Sequence, residues 1–331
     1  MKVLIAAGGT AGHLFPAQEL GELLSDCEVL FAGSGLKTSP YFKKKHPFFD
    51  IVSAPFGLRF FFLFFCGLCQ AIALFRREKP DVVVGFGSYH TVPVLFAAVL
   101  FRKKIILYEP NRSLGKVNQL FSPFSKRIAV QFLSGPKFTQ VPFFPWIRKE
   151  MPEKEAARKE YGLDPKRTTI LVFGGSQGAK FLNEMIPQVA LSAQMIHLTG
   201  NEEAAKKSSE NYTKAQIPAV VKSFEPNMEK AYAAADFAIC RSGAGTMAEL
   251  ISHQLPSLLI PYPYAYGHQE LNARYLENLG GAKVVLQQEA SAEEIAKQIA
   301  TLNLKAMRVA LRSAEEQNKS LTGLDEWVRR C

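Results

Sequence analysis

Cysteine is scarce in this chain, and its apolar runs are short. The sequence has five cysteines in 331 residues, and their odd number and scattered spacing favour reduced thiols in a cytosolic protein. The most apolar stretch, residues 60–75, spans about 16 positions, whereas a helix needs about 20 to cross a bilayer. The sequence therefore argues against a disulfide-stabilised fold and against a membrane span in this stretch.

Several common ligand motifs are also absent. There is no Asp-x-Asp pair to hold a metal ion, and neither Gly-Gly loop matches the full G-x-G-x-x-G pattern of dinucleotide-binding folds. No RNA- or DNA-binding signature is present. We therefore expect no metal, no other cofactor and no nucleic acid partner, and a dinucleotide-binding fold is a weak alternative.

Positive charge is concentrated in the N-terminal half of the chain. Residues 1–147 carry 17 Lys and Arg against eight Asp and Glu, a net charge of +9, out of +10 for the whole chain. A basic surface attracts nucleic acid, anionic lipid or an anionic substrate. We expect the last two kinds of partner to meet the N-terminal half.

Two segments repeat one pattern. Lys2–Ala7 is an apolar run that predicts a buried strand, followed by a glycine loop at 8–13 and a helix with Pro16 in its first turn. Residues 169–173 predict another strand, and a second glycine loop follows at 174–178. The repetition predicts two doubly wound α/β domains that face a cleft at the carboxyl ends of their strands.

The stretch 238–251 predicts a strand, a turn with two glycines and the start of a helix. A helix N-terminus has unpaired N–H groups and the positive end of a dipole, so it suits a phosphate. Glu249 lies one turn inside this helix, within reach of the hydroxyls of an attached sugar. The polar side chains of 268–272 suit a second sugar. These features favour a nucleotide-sugar site, and an ordinary strand–turn–helix connection is the alternative.

The apolar stretch 60–75 has two interpretations. It predicts a helix that is phenylalanine-rich nearly all round, with Arg59, Arg76 and Arg77 at its ends. A helix buried in the core is one interpretation. A helix lying in a membrane surface, held by aromatic and basic residues, is the other. For that surface we select Phe60, Phe61, Phe64, Phe65, Arg76 and Arg77.

These motifs resemble glycosyltransferase family 28, in particular its members that add N-acetylglucosamine to lipid I in peptidoglycan synthesis. The resemblance covers nearly the whole chain, and the motifs occur in the family's order. They are Gly8-Gly9-Thr10-Ala11-Gly12-His13, Gly85-Phe86-Gly87-Ser88-Tyr89, Glu109-Pro110-Asn111, Gly174-Gly175-Ser176-Gln177-Gly178-Ala179, Cys240-Arg241-Ser242-Gly243-Ala244-Gly245-Thr246, and His268-Gln269 with Asn272.

The resemblance implies a GT-B fold. An N-terminal acceptor and membrane domain would comprise 1–147 plus a returning C-terminal helix, 316–331, and a UDP-sugar domain would comprise 148–315. The partners would be UDP-N-acetylglucosamine, lipid I and an anionic membrane surface. The protein would lie peripherally on the cytoplasmic face of the bacterial inner membrane.

The resemblance also implies site residues. The acceptor loop would include Gly87, Ser88, Tyr89 and His90. The donor contacts would be Thr10, Ala11, Gly12, Asn111, Arg148, Ser176, Phe224, Glu225, Ala244, Gly245, Thr246, Met247, Ala248, Glu249, Gln269 and Asn272. The sequence departs from the family at Ala11, usually glycine, at Pro110, usually glutamine, and in the linker around Arg148.

His13 matches the histidine proposed as the family's catalytic base. We place it just before a helix N-terminus, where the dipole lowers the pKa of an imidazole. Glu109 is the rival base, and a purely structural His13 is the alternative. The expected reaction is an inverting, metal-independent transfer to the MurNAc 4-hydroxyl of lipid I. A UDP-N-acetylglucosamine 2-epimerase, another GT-B glycolipid glycosyltransferase and a non-enzymatic binding protein are the competing functions.

Overall fold

The protein is described here from a computed structural model that covers residues 1–9, 11–55, 57, 60–143, 151–264 and 267–331, without the side chains of Ala11 and Phe60. The chain divides into two compact units. Unit 1 comprises Met1–Trp146 and Asn318–Cys331, and unit 2 comprises Ile147–Gln317. The chain therefore enters unit 1 a second time at its C-terminus, two residues later than the predicted return at 316.

Each unit contains one parallel sheet. In unit 1 the strand order is β3-β2-β1-β4-β5-β6-β7, and in unit 2 it is β10-β9-β8-β11-β12-β13. The strands are β1 Lys2–Ala6, β2 Glu28–Gly33, β3 Phe48–Asp50, β4 Val82–Gly85, β5 Lys104–Glu109, β6 Arg127–Val130, β7 Phe138–Gln140, β8 Thr169–Phe173, β9 Gln194–Leu198, β10 Ala219–Lys222, β11 Phe237–Cys240, β12 Ser257–Leu259 and β13 Ala282–Val284.

Helices connect most of the parallel strands, as is usual for parallel crossovers, whereas the described segments between β2 and β3 and between β6 and β7 contain none. The helices are α1 Ala11–Leu23, α2 Phe60–Glu78, α3 Val92–Leu100, α4 Lys116–Phe121, α5 Lys154–Glu160, α6 Lys180–Met185, α7 Glu202–Lys214, α8 Met228–Ala234, α9 Ala244–Ser252, α10 His268–Asn278, α11 Ala292–Ala300, α12 Leu304–Lys319 and α13 Leu324–Arg329. Short 3-10 turns lie at Tyr89–Thr91, Ser122–Phe124 and Ile186–Gln188.

Apolar clusters cover both faces of the sheet of unit 1, and alternate residues of each strand point to opposite faces. Val3 and Ile5 of β1 belong to one apolar cluster, which α13 completes with Leu324 and Val328. Leu4, on the other face, packs in the cluster that includes residues of α2 and α3. This two-sided burial explains why β1 appears in the sequence as an unbroken apolar run.

The strand order places a switch point in each sheet. The order reverses beside β1 and β4 in unit 1, and beside β8 and β11 in unit 2. In open α/β sheets, ligands bind outside the carboxyl ends of the strands at such points. The loops after β1, β4, β8 and β11 are therefore the places where ligand contacts are expected, and they are the glycine loops of the sequence.

Two predicted helices have different limits in the structure. Helix α1 begins at Ala11, so His13 lies in its first turn and Pro16 lies inside the helix. Pro16 was predicted in the first turn because proline usually occupies that position. That prediction was wrong, because the helix begins before Pro16, at Ala11. The C-terminal helix, predicted as continuous, ends at Lys319, and α13 starts after Gly323.

Candidate active site

His13 is held in one tautomer by the chain itself. Its Nδ1 lies 2.8 Å from the carbonyl oxygen of Phe86, after β4. A carbonyl oxygen only accepts hydrogen bonds, so Nδ1 must donate and Nε2 carries the basic lone pair. Burial lowers the pKa of His13, although the Phe86 carbonyl and the Glu109 carboxylate act in the opposite direction. The side chain is thus a neutral imidazole with one nitrogen able to accept a proton.

Glu109, the rival base, is buried at the end of β5, and both of its carboxylate oxygens already accept hydrogen bonds. Its Oε1 accepts hydrogen bonds from the backbone N and from Nδ2 of Asn111, at 3.1 and 2.8 Å. Its Oε2 accepts from the Gly115 backbone N at 2.7 Å and from Asn118 Nδ2 at 2.9 Å. Four donors on one buried carboxylate indicate that Glu109 organises the loop after β5 and orients Asn111.

The acceptor loop predicted at 87–90 touches the first glycine loop. A Cβ atom on Gly9 would lie 2.7 Å from Cδ2 of His90, and one on Gly8 would lie 2.8 Å from its Cβ. The His90 ring stacks on Tyr89, with ring centroids 4.0 Å apart. Glycine is needed at position 8 because a Cβ atom would also meet the Ser34 carbonyl oxygen at 2.7 Å, and at position 9 because its φ is 86° and the imidazole of His90 covers it.

Ser88 has a backbone conformation that glycine normally occupies, with φ 69° and ψ 148°. A non-glycine residue in this region costs about 1–3 kcal/mol. Ser88 belongs to the acceptor loop that the resemblance implies. The structure thus shows local strain next to the predicted acceptor contacts.

Replacing Ser88 with glycine should raise the free energy of unfolding by about 1 kcal/mol, because relief of strain exceeds the added flexibility of the unfolded chain. Thermal or urea unfolding would measure this. Ser34→Gly is the matched control, since Ser34 has no positive φ, and this substitution should lower stability slightly. Equal losses of stability in both variants would contradict the strain at Ser88.

The glycine loop at 174–178, after β8 in unit 2, packs directly against neighbouring backbone. A Cβ atom on Gly178 would lie 1.9 Å from the carbonyl oxygen of Thr199, and the residue has φ 72°. A Cβ atom on Gly200 would lie 2.4 Å from the Gln177 carbonyl. Ser176, a predicted donor contact, is exposed at the tip of this loop. The loop after β8 therefore holds Ser176 outward, and its backbone packs too closely for a side chain at Gly178.

Helix α9 begins immediately after the loop that follows β11. The N–H groups of Ala244, Gly245 and Thr246 have no intrahelical acceptor, because they lie in the first turn. The N-cap is Gly243, which provides no side-chain hydrogen bond to them. The side chains of Met247 and Ala248 are buried in the core. Among the predicted residues 244–248, a phosphate can therefore meet the backbone at the first turn, whereas the side chains of Met247 and Ala248 point away.

Gln269 and Asn272 of α10 hold the loop that precedes α9. Asn272 is buried, and its Nδ2 donates to the Ser242 carbonyl oxygen at 3.1 Å. Ser242 Oγ donates to the Gln269 backbone oxygen at 2.7 Å, and Gln269 Oε1 accepts from the backbone N of Tyr262 at 3.0 Å. The structure thus gives both amides a positioning role. Their contact with the donor sugar stays a prediction.

Glu249 is half-buried on α9, and it accepts a hydrogen bond that the sequence did not predict. The hydroxyl of Tyr232, on α8, donates to Glu249 Oε2. The two residues are 17 positions apart and lie on different helices, so no local periodicity connects them. Sequence reasoning missed Tyr232 for this reason.

Phe224 and Glu225 turn in opposite directions. Phe224 is 61% exposed, whereas Glu225 is buried and accepts hydrogen bonds from Tyr161 Oη and Lys222 Nζ, each at 2.8 Å. Burial alone would raise the pKa of Glu225, but these bonds and the Asn227 N–H lower it below its usual value. The carboxylate of Glu225 therefore anchors the loop after β10. Only the backbone of Glu225 is available to contact a nucleobase.

Helix α2 exposes one side of its N-terminal half. Phe61, Phe62 and Phe65 are 70%, 73% and 61% exposed. Phe64 is half-buried and packs against Phe96, with centroids 5.1 Å apart. Phe64, which was selected for a membrane surface, thus turns its ring toward the core, whereas Phe62, which was not selected, is exposed; the membrane contact itself stays a prediction. Arg76 and Arg77, at the other end, are exposed.

Some predicted residues lie outside the described part of the chain. They are Thr10, Arg59 and Arg148, together with the side chains of Ala11 and Phe60. Within the described residues, no group of three or more His, Cys, Asp or Glu side chains is placed to hold a metal ion. In the same residues, no helix combines the length and apolarity needed to cross a membrane.

Comparison with known families matches both halves of the chain. Residues 3–130 match the Glycosyltransferase family 28 N-terminal domain, and residues 169–326 match the Glycosyltransferase family 28 C-terminal domain. The UDP-N-acetylglucosamine--N-acetylmuramyl-(pentapeptide) pyrophosphoryl-undecaprenol N-acetylglucosamine transferase of Protochlamydia amoebophila is 37% identical, with 91% of this chain and 87% of that protein covered. The protein of the same name from Chlamydia trachomatis serovar L2 is 34% identical, with 99% and 97% covered.

Solved structures are similar over the full chain. MurG of Acinetobacter baumannii is 25% identical with a TM-score of 0.79, covering 100% of this chain and 99% of that one. The glycosyltransferase VinC, solved with dTDP, is 13% identical with a TM-score of 0.71, covering 100% and 98%, and at that identity shows the fold alone. The predicted GT-B class with two Rossmann-like units is confirmed.

Proposed function

The chain belongs to glycosyltransferase family 28, and from this membership we propose that it transfers N-acetylglucosamine from UDP-N-acetylglucosamine to the MurNAc 4-hydroxyl of lipid I. The product is lipid II, the precursor of peptidoglycan. The observation that carries the proposal is similarity over nearly the full length to enzymes named for this transfer. We further propose that the transfer inverts the anomeric centre and needs no metal ion.

The donor binds to unit 2 in this proposal. The first-turn N–H groups of α9 and the backbone of the loop after β8 receive the diphosphate, because both present N–H groups and the helix adds the positive end of its dipole. The same groups stabilise the charge that develops on the UDP leaving group. The backbone at Phe224 and Glu225 meets the uracil, and Glu249 accepts hydrogen bonds from the ribose.

His13 is the general base in unit 1. Its Nδ1 is engaged with Phe86, and its Nε2 takes the proton of the acceptor hydroxyl as that oxygen attacks the sugar. A base must be unprotonated before it reacts, and burial favours the neutral form of this imidazole. Glu109 orients Asn111 and the loop after β5, and takes no proton.

Unit 1 also docks on the lipid surface. Phe61 and Phe65 are one turn apart on α2, and Phe62 lies beside them, so their exposed rings form one stripe. These rings enter the interface while Arg76 and Arg77 attract anionic headgroups. We therefore place the protein peripherally on the cytoplasmic face of the inner membrane, where it meets a lipid-anchored acceptor.

Purified protein should release UDP from UDP-N-acetylglucosamine only when a lipid I analogue is present. The measurement is coupled UDP detection, together with mass analysis of the glycosylated acceptor. Formation of N-acetylmannosamine without acceptor, either still bonded to UDP or free with release of UDP, would indicate an epimerase and overturn the proposal. Equal release with a chelator present, and a β-linked product from the α-linked donor, are the results expected for a metal-independent inverting transfer.

A further inference from the structure

Tyr232 is held on three sides at the point where it meets Glu249. The residue is only 3% exposed. Its ring stacks on His253, with centroids 4.6 Å apart and planes 20° apart, and meets the edge of Phe173 at 5.9 Å. Phe173 ends β8, directly before the donor glycine loop. The position of the tyrosine hydroxyl is therefore set by packing against two structural elements that also support the predicted donor site.

We propose that Tyr232 is a positioning residue that orients the Glu249 carboxylate, so that unit 2 selects ribonucleotides over deoxyribonucleotides. The inference rests on the proposed function, in which Glu249 meets the ribose. A carboxylate offers about four acceptor positions, so the bond from Tyr232 to Oε2 fixes the rotation of the group without using its whole capacity. A ribose with both hydroxyls then meets acceptors that are already aligned.

The hydroxyl of Tyr232 remains a donor over the working pH range. Burial raises the pKa of Tyr232 well above its ordinary value, and the adjacent Glu249 raises it further. A neutral phenol that donates to a carboxylate is a charge-assisted hydrogen bond, stronger than one between neutral groups. Loss of this donor would remove one bond that fixes the carboxylate and would weaken its alignment with the ribose.

The experiment compares UDP with 2′-deoxy-UDP and 3′-deoxy-UDP by calorimetry. Wild-type protein should prefer UDP about tenfold or more over at least one deoxy analogue. Tyr232→Phe keeps the ring and should lower UDP affinity roughly three- to tenfold, with a smaller loss for that deoxy analogue. Glu249→Gln should remove the preference, and the double variant should match Glu249→Gln, because both residues act through one contact.

Tyr212→Phe is the matched control. Tyr212 is also buried in unit 2, and its hydroxyl bonds to His197 Nδ1 at 2.9 Å. This variant should lose stability yet keep the wild-type preference for UDP. If Tyr232→Phe keeps that preference while Glu249→Gln abolishes it, the positioning role is wrong and the donor site stands. If Glu249→Gln also keeps it, the ribose assignment of the proposed function fails as well.

Discussion

Replacing His13 with alanine should lower kcat by about 10²–10⁴-fold with a lipid I analogue, because a general base acts in the transition state. Donor affinity should change little, since most donor contacts of the proposal lie on unit 2 and a base acts on the acceptor hydroxyl. Steady-state kinetics and calorimetry with UDP would measure the two effects separately. A loss of this size in kcat alone is expected of a base and not of a residue that merely fills space.

His13→Asn separates the base from the hydrogen bond to Phe86. An asparagine amide can donate to the carbonyl as Nδ1 does, but it has no basic nitrogen. If His13 is structural, His13→Asn should recover most of the activity that His13→Ala loses. If His13 is the base, both variants should be equally slow. Glu109→Gln should instead destabilise unit 1, because it places an amide where four donors converge.

The pH dependence of kcat/KM follows from the lowered pKa of His13. The base must be neutral, so activity falls as pH decreases through the pKa of the free enzyme. Burial places that pKa below the ordinary 6.5. The acidic limb of the profile should therefore lie below about pH 6.5 and should disappear in the residual activity of His13→Ala. An acidic limb above pH 7 would contradict the assignment.

Changing Phe61, Phe62 and Phe65 together to serine should weaken binding to anionic vesicles about 100-fold or more. Burying one phenylalanine side chain contributes roughly 1.5–3 kcal/mol, and a tenfold change in affinity corresponds to about 1.4 kcal/mol. Even partial insertion of three rings reaches this size. Vesicle sedimentation at increasing lipid concentration would measure it, and UDP affinity should remain unchanged.

Val309→Ser is the surface control for this experiment. Val309 is 66% exposed on α12, and its replacement should leave vesicle binding unchanged.

Phe64→Ser should lower the stability of unit 1, because Phe64 packs against Phe96. Arg76→Gln with Arg77→Gln should reduce binding to anionic but not to neutral vesicles, and added salt should act in the same direction. Wild-type sedimentation of the triple phenylalanine variant would place the docking surface elsewhere.

The sequence was sufficient to predict the two doubly wound units and their glycine loops. Strands such as β1 and β8 are buried on both faces, so each appears as a continuous apolar run that ends in glycine. Two such runs, each followed by a Gly-Gly loop and a helix, predict a parallel sheet with its switch point at those loops. The sequence also predicted where α9 begins, because glycine, serine and threonine mark a helix N-terminus.

The apolar segment 60–75 shows where periodicity fails. A helix with phenylalanine nearly all round has no polar stripe, so its pattern does not say which face is buried. In the structure Gly67 decides this, because a Cβ atom there would lie 2.0 Å from the Val52 carbonyl oxygen. That close approach turns Phe64 toward the core and leaves Phe61 and Phe62 exposed.

The sequence by itself therefore determined the fold class, the family and the segments that carry the predicted site. Only the tertiary structure decided what individual side chains do there: that Glu109 is saturated by four donors, that His13 keeps Nε2 as its basic nitrogen, and that Tyr232 holds Glu249. The reason is physical. Apolar periodicity and turn residues act over a few neighbouring positions, whereas these hydrogen bonds join residues on separate elements, brought together only when the sheets and their helices pack.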